Sequence, residues 1–245
     1  MEPGAPEAGL GAAADFRTRR RTHLSDEVAS YIRDLIMSGD VRQGEFLRLE
    51  RIAEGLGVSA TPVREALLSL RGEGFVRLQA HRGFVVAPLS RQDVIDLFQV
   101  QADAAAELTG RASGRIEPHV VERLAGVQER LEEAARRGAA EEMEELNFQF
   151  HRIVYRAADS PKLTWVLGSV ARYAPRRFYA SIHGWQGASV AEHGTIIAAL
   201  RHRDAEKARS AMRGHVTHAG QLLVAHLESR GFWDLGSDQP RGDAS

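Results

Sequence analysis

Apolar side chains recur at the spacing of an α-helix along most of this chain, and this period constrains the fold more than any other feature of the sequence. The first apolar stripe covers one helical face and comprises Val28, Tyr31, Ile32, Leu35 and Ile36. Strand-like patterning is identified in two short runs, Phe75–Leu78 and Phe84–Val86. A mostly α-helical protein with one β-hairpin is therefore expected.

Helix-ending and helix-capping residues divide the first part of the chain into three short helices followed by the hairpin. Gly39 ends the first helix, and Gly57 begins a tight turn before the third. Ser59 or Thr61 can cap the third helix at its N-terminus. Residues 80–83 connect the two strand-like runs. This order predicts a winged helix-turn-helix domain, whose third helix enters the DNA major groove.

The polar residues of this predicted domain suit double-stranded DNA. Arg64 can contact guanine or phosphate from the third helix, and Ser59 and Thr61 can bind phosphates beside its N-terminus. His81 and Gly83 lie at the tip of the wing, where a small residue allows the backbone to approach the minor groove. The alternative is a small helical domain with ordinary surface charge, and the pattern alone does not separate the two.

Charge is unevenly distributed along the chain, although the net charge is only -1. The segment from Arg17 to Val86 contains 12 arginines and nine acidic residues, a net charge of +3, so the remainder carries -4. A basic front part joined to an acidic remainder indicates two modules, with any polyanion bound by the first.

The composition excludes several classes of site. The chain contains no cysteine, so it has no disulfide, thiolate zinc finger, iron–sulfur cluster or cysteine nucleophile. No apolar run approaches the roughly 20 residues that a membrane-spanning helix needs. The N-terminal residues also lack the pattern of a secretion signal. We therefore expect a cytoplasmic protein without a membrane partner.

Three segments of the first module resemble a known family of regulators. Residues 56–76 (LGVSATPVREALLSLRGEGFV) and 81–90 (HRGFVVAPLS) closely resemble the DNA-binding domain of the GntR family of bacterial transcription regulators. Residues 24–47 resemble the first helix and loop of that domain. The resemblance implies DNA contacts through Ser59, Thr61, Arg64, His81 and Gly83.

This sequence departs from the GntR pattern at two positions. Ala60 stands where the family usually has arginine, and Glu50 stands where it often has arginine. Arg48 and Arg51 lie beside Glu50 and are further candidate DNA contacts. We therefore expect the base readout to differ from that of a typical member.

From Ser90 onward the apolar pattern is helical and predicts an all-α antiparallel bundle. The predicted fold class is thus mostly α, with an N-terminal winged helix-turn-helix followed by that bundle. The predicted organisation has a disordered arm, a DNA-binding domain, a helical domain and a flexible tail, at residues 1–22, 23–88, 89–230 and 231–245.

Four residues with nitrogen and oxygen donors are expected to meet within the bundle. Asn147 and His151 are four residues apart and point from one helical face. His193 and His215 each lie 11 residues from Asp204, the expected turn between the last two helices. Both would then lie about 16 Å from that turn and face each other. The alternative is three core histidines that bind backbone carbonyls.

Two segments of the bundle resemble the FCD domain, the effector domain of the FadR-type GntR subfamily. These are residues 146–163 (LNFQFHRIVYRAADSPKL) and 191–216 (AEHGTIIAALRHRDAEKARSAMRGHV). The resemblance implies that residues 89–230 bind metal and effector and form the dimer. It also implies a divalent metal held by Asn147, His151, His193 and His215. Many members have aspartate at the first position, and the neutral Asn147 favours Zn²⁺ or Ni²⁺ over harder cations.

The expected effector is a small organic acid. The first helix of the FCD domain often reads Arg-x-x-x-Glu, but Gln101 and Ala105 occupy those positions here. A metal shell of three imidazoles and one amide, with an open coordination position, would itself attract a carboxylate. Further candidate effector contacts, beside Gln101, are Arg172, Tyr173 and Arg176.

The leading functional hypothesis is a ligand-responsive repressor that binds operator DNA as a homodimer. A second hypothesis is a metal-dependent hydrolase or lyase with an accessory DNA-binding domain. Such an enzyme needs a carboxylate base, and Glu144 lies two helical turns from His151. A third is a regulator without metal, whose histidines only pack.

Overall fold

The computed structural model describes residues 24–174 and 179–234. The arm predicted at residues 1–22, Arg176, and residues 235–245 of the predicted tail lie outside the described residues. The described residues form two compact units. One consists of residues 24–36 with Asp40–Pro88, and the other of Met37–Gly39 with the described residues from Leu89 onward. Within the described segments, no helix combines the length and hydropathy that crossing a bilayer requires.

The first unit consists of three helices and a three-stranded sheet in its described part. The elements are α1 (residues 24–37), β1 (Phe46–Leu47), α2 (Leu49–Leu56), α3 (Ala60–Gly72), β2 (Val76–Gln79) and β3 (Gly83–Val86). The predicted stripe of α1 is largely inward, with Val28, Ile32 and Ile36 buried. Tyr31, in contrast, is 40% exposed.

The turn between α2 and α3 depends on one glycine. Gly57 adopts a left-handed conformation at φ 64°, which an L side chain rarely adopts, and its N–H contacts the carbonyls of Ala53 and Glu54. Ser59 occupies the N-cap of α3, but its side chain makes no capping hydrogen bond. One reason is that Pro62, the third residue of the helix, has no backbone N–H to donate to the Ser59 hydroxyl.

The sheet has the strand order β1-β3-β2, with both pairs antiparallel. Residues 76–79 pair with 83–86 as the hairpin, in the register Val76↔Val86 and Gln79↔Gly83. The edge strand β1, which pairs Leu47 with Phe84, was not expected from the sequence. Two residues are too few to show alternation.

The second unit is helical in every regular element that the structure describes. Its helices are α4 (Arg91–Arg115), α5 (Pro118–Arg137), α6 (Ala140–Ala157), α7 (Pro161–Val170), α8 (Trp185–Arg201) and α9 (Ala205–Ser229). Two short 3-10 turns follow α7, at Ala171–Tyr173 and Tyr179–Ser181. The predicted fold class, a winged helix-turn-helix followed by an all-α bundle, is confirmed.

Helix α4 packs closely along α9. A capping box starts α4, in which Ser90 Oγ accepts from the N–H of Asp93, 3.0 Å away, and the Asp93 carboxylate accepts from the N–H of Ser90. Gly220 of α9 lies against the ring of Phe98. The ion pair Arg213–Asp103, at 3.0 Å, joins the two helices at their surface. These contacts fix α4 beside the helix that carries His215.

The last two helices form the expected hairpin. Asp204 is the N-cap of α9, and its side chain accepts from the N–H of Lys207 at 3.1 Å. The turn predicted around Asp204 is therefore confirmed. Packing continues beyond the predicted end of this domain at residue 230, because Phe232 is buried and Trp233 Nε1 donates to the carbonyl of Leu89 at 2.8 Å.

Candidate functional site

The N-terminal half of α3 exposes the residues expected to face DNA. Ser59, Thr61 and Arg64 are exposed, whereas the other face of α3 forms the core of the unit. The buried residues of this helix are Pro62, Val63, Ala66, Leu67 and Leu70. Substituting Arg64 would therefore remove a surface group without opening a cavity.

The wing and the start of α2 expose the other candidate DNA contacts. His81, in the turn between β2 and β3, and Gly83, the first residue of β3, have positive φ, 61° and 89°, and both are exposed. Arg48 and Arg51 are exposed at the N-terminal end of α2. All seven candidate DNA contacts are thus accessible to solvent.

Three of the four candidate metal ligands converge in the second unit. His151 comes from α6, His193 from α8 and His215 from α9, and one nitrogen of each lies within 4.8 Å of the others. The ring centroids of His193 and His215 lie 4.8 Å apart, with the ring planes inclined at 61° in an edge-to-face arrangement. The proximity expected from their spacing around Asp204 is confirmed.

His193 is fully buried, and only one of its two ring nitrogens has a hydrogen-bond partner in the described part of the chain. Its Nδ1 is 3.0 Å from Oε1 of Gln128 on α5, and its ring stacks on Phe150 at 3.8 Å. Its Nε2 is buried without a hydrogen-bond partner among the described residues. Burial above all, then the neighbouring His215 and His151, lower the pKa of His193, so this ring is neutral. An orphaned imidazole nitrogen facing two other imidazoles fits a cation site.

A carboxylate supports the second ring. Oε2 of Glu192 is 2.8 Å from Nδ1 of His215, and Oε1 of the same residue is 2.6 Å from Nδ1 of His218. Burial opposes ionisation of Glu192, but its bonds to the two histidines outweigh burial and lower its pKa. The carboxylate is therefore ionised and orients His215, as acidic partners of metal-bound histidines do.

The third ring lies between a histidine and a tyrosine. Nε2 of His151 is 3.1 Å from Nε2 of His215, and its Nδ1 is 3.2 Å from the hydroxyl of Tyr155. That hydroxyl also lies 3.8 Å from Sδ of Met212. Burial, then His215, lower the pKa of His151, and burial raises that of Tyr155, so both are neutral.

Asn147, the fourth candidate ligand, lies one turn before His151 on α6. Its Oδ1 accepts from the hydroxyl of Ser189 at 3.4 Å, and Ser189 lies one turn before His193 on α8. Asn147 is half-buried. It thus faces the same pair of helices as two of the imidazoles, with its oxygen already bound to a hydroxyl.

The candidate effector contacts differ in their surroundings. Gln101 is buried on α4, and its Nε2 has no hydrogen-bond partner in the part of the chain that the structure describes. Arg172 is exposed and Tyr173 half-buried in the first 3-10 turn, while Arg176 lies outside the described residues. Gln101 is therefore the candidate with an unused donor in the interior.

Sequence reasoning missed the residues behind the imidazoles: Gln128, Tyr155, Glu192 and His218. One signal was available, since Gln128 interrupts the apolar face of α5 formed by Leu124, Val127 and Leu131. Glu144, the acid considered for catalysis, accepts from the N–H of Ala180 at 3.2 Å. It is therefore held by the second 3-10 turn.

Both units match known protein families. Residues 24–86 match the bacterial regulatory proteins of the gntR family, and residues 96–218 match the FCD domain. An HTH-type transcriptional regulator of Mycobacterium tuberculosis is 25% identical over 205 residues, covering 84% of this chain and 83% of that protein. A probable D-xylose utilization operon transcriptional repressor of Paenarthrobacter nicotinovorans is 29% identical over 226 residues, covering 90% and 97%.

A solved structure supports the fold. The solved structure of E. coli McbR/YncC has a TM-score of 0.66 and 21% identity with this chain, covering 82% of this chain and 96% of that one. These similar proteins are transcriptional regulators, which favours regulation over the hydrolase or lyase hypothesis. The chain therefore belongs to the GntR family of bacterial transcription regulators and carries an FCD domain after its DNA-binding domain.

Proposed function

We propose that this regulator binds operator DNA as a homodimer and responds to a small organic acid that binds together with a divalent metal. Residues 23–88 would bind DNA, and residues 89–230 would bind metal and effector and form the dimer. The observation that carries the metal site is the cluster of His151, His193 and His215, with ligand atoms within 4.8 Å of one another.

The donor chemistry favours zinc or nickel. Three imidazole nitrogens suit borderline metals, and Asn147 would add a neutral oxygen if its bond to Ser189 were exchanged for the metal. The ionised Glu192 supplies a negative charge behind His215 rather than at the metal itself. A harder cation such as Mg²⁺ would meet too few oxygens in this shell.

The bound metal would supply a positive centre that attracts a carboxylate. Gln101 supports an acidic effector in a different way, because its buried Nε2 can donate to an oxygen without adding charge. Arg172, Tyr173 and Arg176 remain proposed contacts. An effector with one carboxylate suits this set better than one that needs a second buried cation.

The DNA contacts are proposed from the exposed residues of the first unit. Arg64 would read a base or grip a phosphate from α3, and Ser59 and Thr61 would bind phosphates near its N-terminus. The candidate contacts of the wing and of α2 are His81, Gly83, Arg48 and Arg51. A homodimer would place two such surfaces on a two-fold symmetric operator. Repression is proposed because one relative is named a repressor.

Zinc titration of the full-length protein, freed of metal by a chelator, tests the metal site. We expect stoichiometric uptake of zinc and a rise in Tm, because a ligand at 100 times its Kd stabilises the folded state by about 2.7 kcal/mol. The variant His151→Ala should lose this rise. The control His202→Ala removes an exposed imidazole and should retain it. If all three proteins respond alike, or none does, the metal site is refuted.

The effector test uses the same proteins. We expect a screen of small monocarboxylic and dicarboxylic acids to find compounds that raise the Tm of zinc-loaded protein but not of chelated protein. The same compounds should change operator affinity in a gel-shift assay. Acids that act equally on chelated protein would place the effector away from the metal.

A further inference from the structure

The tautomer of His193 is set by a glutamine. Nε2 of Gln128 donates to the carbonyl of Val190 and to the carboxylate of Glu132, each at 3.0 Å. This leaves the amide oxygen of Gln128 facing Nδ1 of His193. An amide oxygen only accepts, so Nδ1 carries the proton and Nε2 has a lone pair.

The tautomer of His215 is set by a carboxylate. Glu192 is ionised and only accepts, so Nδ1 of His215 carries a proton and donates it to Oε2. In the neutral form of this ring, which is the form that binds metal, the other nitrogen, Nε2, then has a lone pair. Two of the three imidazoles are thus ready to bind a cation through Nε2.

His151 differs from the other two because its partner can both donate and accept. Its Nε2 lies 3.1 Å from Nε2 of His215, which has a lone pair. A hydrogen bond between these atoms requires the proton on Nε2 of His151. Nδ1 of His151 then accepts from the hydroxyl of Tyr155, 3.2 Å away.

A cation bound by all three rings requires the other tautomer of His151. Its Nε2 must then carry a lone pair, and the ring proton must lie on Nδ1. The Tyr155 oxygen can accept that proton if its own hydroxyl hydrogen turns away. Sδ of Met212, 3.8 Å from this oxygen, is an acceptor in the second direction.

We propose that the hydroxyl of Tyr155 is a positioning group that allows His151 to change tautomer when the site takes up a metal. One proton leaves Nε2 of His151 and one is taken up at Nδ1, so the ring stays neutral and its net proton count does not change. Tyr155 rotates from donor to acceptor, and Met212 receives its hydrogen. The inference rests on the metal site of the proposed function.

The variant Tyr155→Phe distinguishes a hydroxyl that positions His151 from a side chain that only packs. In the variant Tyr155→Phe, metal-free protein keeps the bond from His151 to His215 and loses only the bond that Nδ1 accepts, whereas zinc-loaded protein has a buried Nδ1–H without an acceptor. A buried N–H without an acceptor is tolerated less well than an acceptor without a donor, so the larger loss falls on the loaded form. Loss of a partner behind a metal ligand costs about tenfold to hundredfold in metal affinity.

The experiment combines zinc calorimetry with ¹⁵N–¹H correlation spectra of the imidazole rings in the full chain. We expect His151 to show a proton on Nε2 without metal and on Nδ1 with zinc, with its signals assigned from their absence in His151→Ala. Tyr155→Phe should bind zinc about tenfold to hundredfold more weakly. Met212→Leu keeps the volume but removes the sulfur, and should show a smaller loss.

Tyr179→Phe is the matched control, because Tyr179 is a buried tyrosine whose ring stacks on Trp185 rather than on a histidine. It should bind zinc like the wild type. An unchanged tautomer of His151 in wild type that binds zinc overturns the inference alone, as does wild-type affinity in Tyr155→Phe. No zinc uptake by the wild type overturns the proposed function as well, and calorimetry shows this directly. The wild-type spectra test the change of tautomer at His151 even if a variant fails to fold.

Discussion

Gly220 provides a test of how closely α4 and α9 must approach. A Cβ built at Gly220 would lie 2.6 Å from Cγ and 2.7 Å from Cβ of Phe98. Carbon atoms prefer about 3.5–4.0 Å, so these contacts are strongly repulsive. The atoms involved are the stem of a side chain that is only 3% exposed, and it has little room to swing aside. Gly220→Ala is therefore expected to force the two helices apart.

Two opposed effects determine how much Gly220→Ala changes the free energy of unfolding. Alanine gains up to about 1 kcal/mol over glycine inside a helix. Overpacking of a tight core costs about 1–3 kcal/mol, and contacts this short belong at the upper end. We expect a net loss of about 2 kcal/mol, which corresponds to a fall in Tm of roughly 4–8 °C for a chain of this size.

Urea unfolding and thermal scans of the full-length protein measure the effect. Gly214→Ala is the control on the same helix, because a Cβ there meets no described atom within 4 Å. The control should gain stability by up to about 1 kcal/mol. Gly220→Ala should also weaken zinc binding, because it changes the position of α4 relative to α9, the helix that carries His215. Equal gains in stability for both variants would refute the reasoning.

Three further predictions concern DNA, metal and pH. Arg64→Ala should weaken specific operator binding in a gel shift by about 1–3 kcal/mol per base contact, and by twice that in a dimer. The Tm should not change. An affinity within about twofold of the wild-type value would be inconsistent with a base contact. Asn147→Asp should tighten zinc binding and weaken an acidic effector in calorimetry, because it adds one negative charge at the site; tighter effector binding at saturating zinc would place the effector elsewhere. In metal-free protein, burial lowers the folded-state pKa of His151 and His193 below the unfolded value of about 6.5, so their contribution to stability is present above pH 6.5 and lost as pH falls below it. Each of the two histidines should lower the free energy of unfolding by up to about 1.4 kcal/mol for each pH unit below pH 6.5, as measured by urea unfolding. A free energy of unfolding that stays constant from about pH 7 to 5.5 would contradict this.

The helical pattern and the position of one turn were sufficient to predict how His193 and His215 meet. Both depend on counting residues from Asp204, and the side chain of Asp204 caps α9 as the local sequence suggests. The partners Gln128 and Glu192 were not predictable in the same way. Periodicity assigns a residue to a face of a helix, but a hydrogen bond between helices depends on their rotation and offset to within about an ångström.

Local sequence rules also failed at the start of α3. Serine at an N-cap usually binds a free backbone N–H, and Ser59 is at that position without such a bond. Its neighbour Pro62 removes the donor at the third helical position. The rule for one residue was therefore overridden by another residue three positions later. In the same unit, β1 was missed because its pairing with β3 comes from residues almost 40 positions away.

The origin of the three imidazoles in separate helices has a kinetic consequence. The pair from α8 and α9 is brought together by a hairpin with a three-residue connection, which can form early because its contacts are local in sequence. His151 joins only when α6 docks, and it is 64 residues from His215. If docking of α6 follows the rate-limiting step, a cation bridging all three helices acts on the native state rather than on the folding barrier. We then expect zinc to slow unfolding and to leave the refolding rate nearly unchanged.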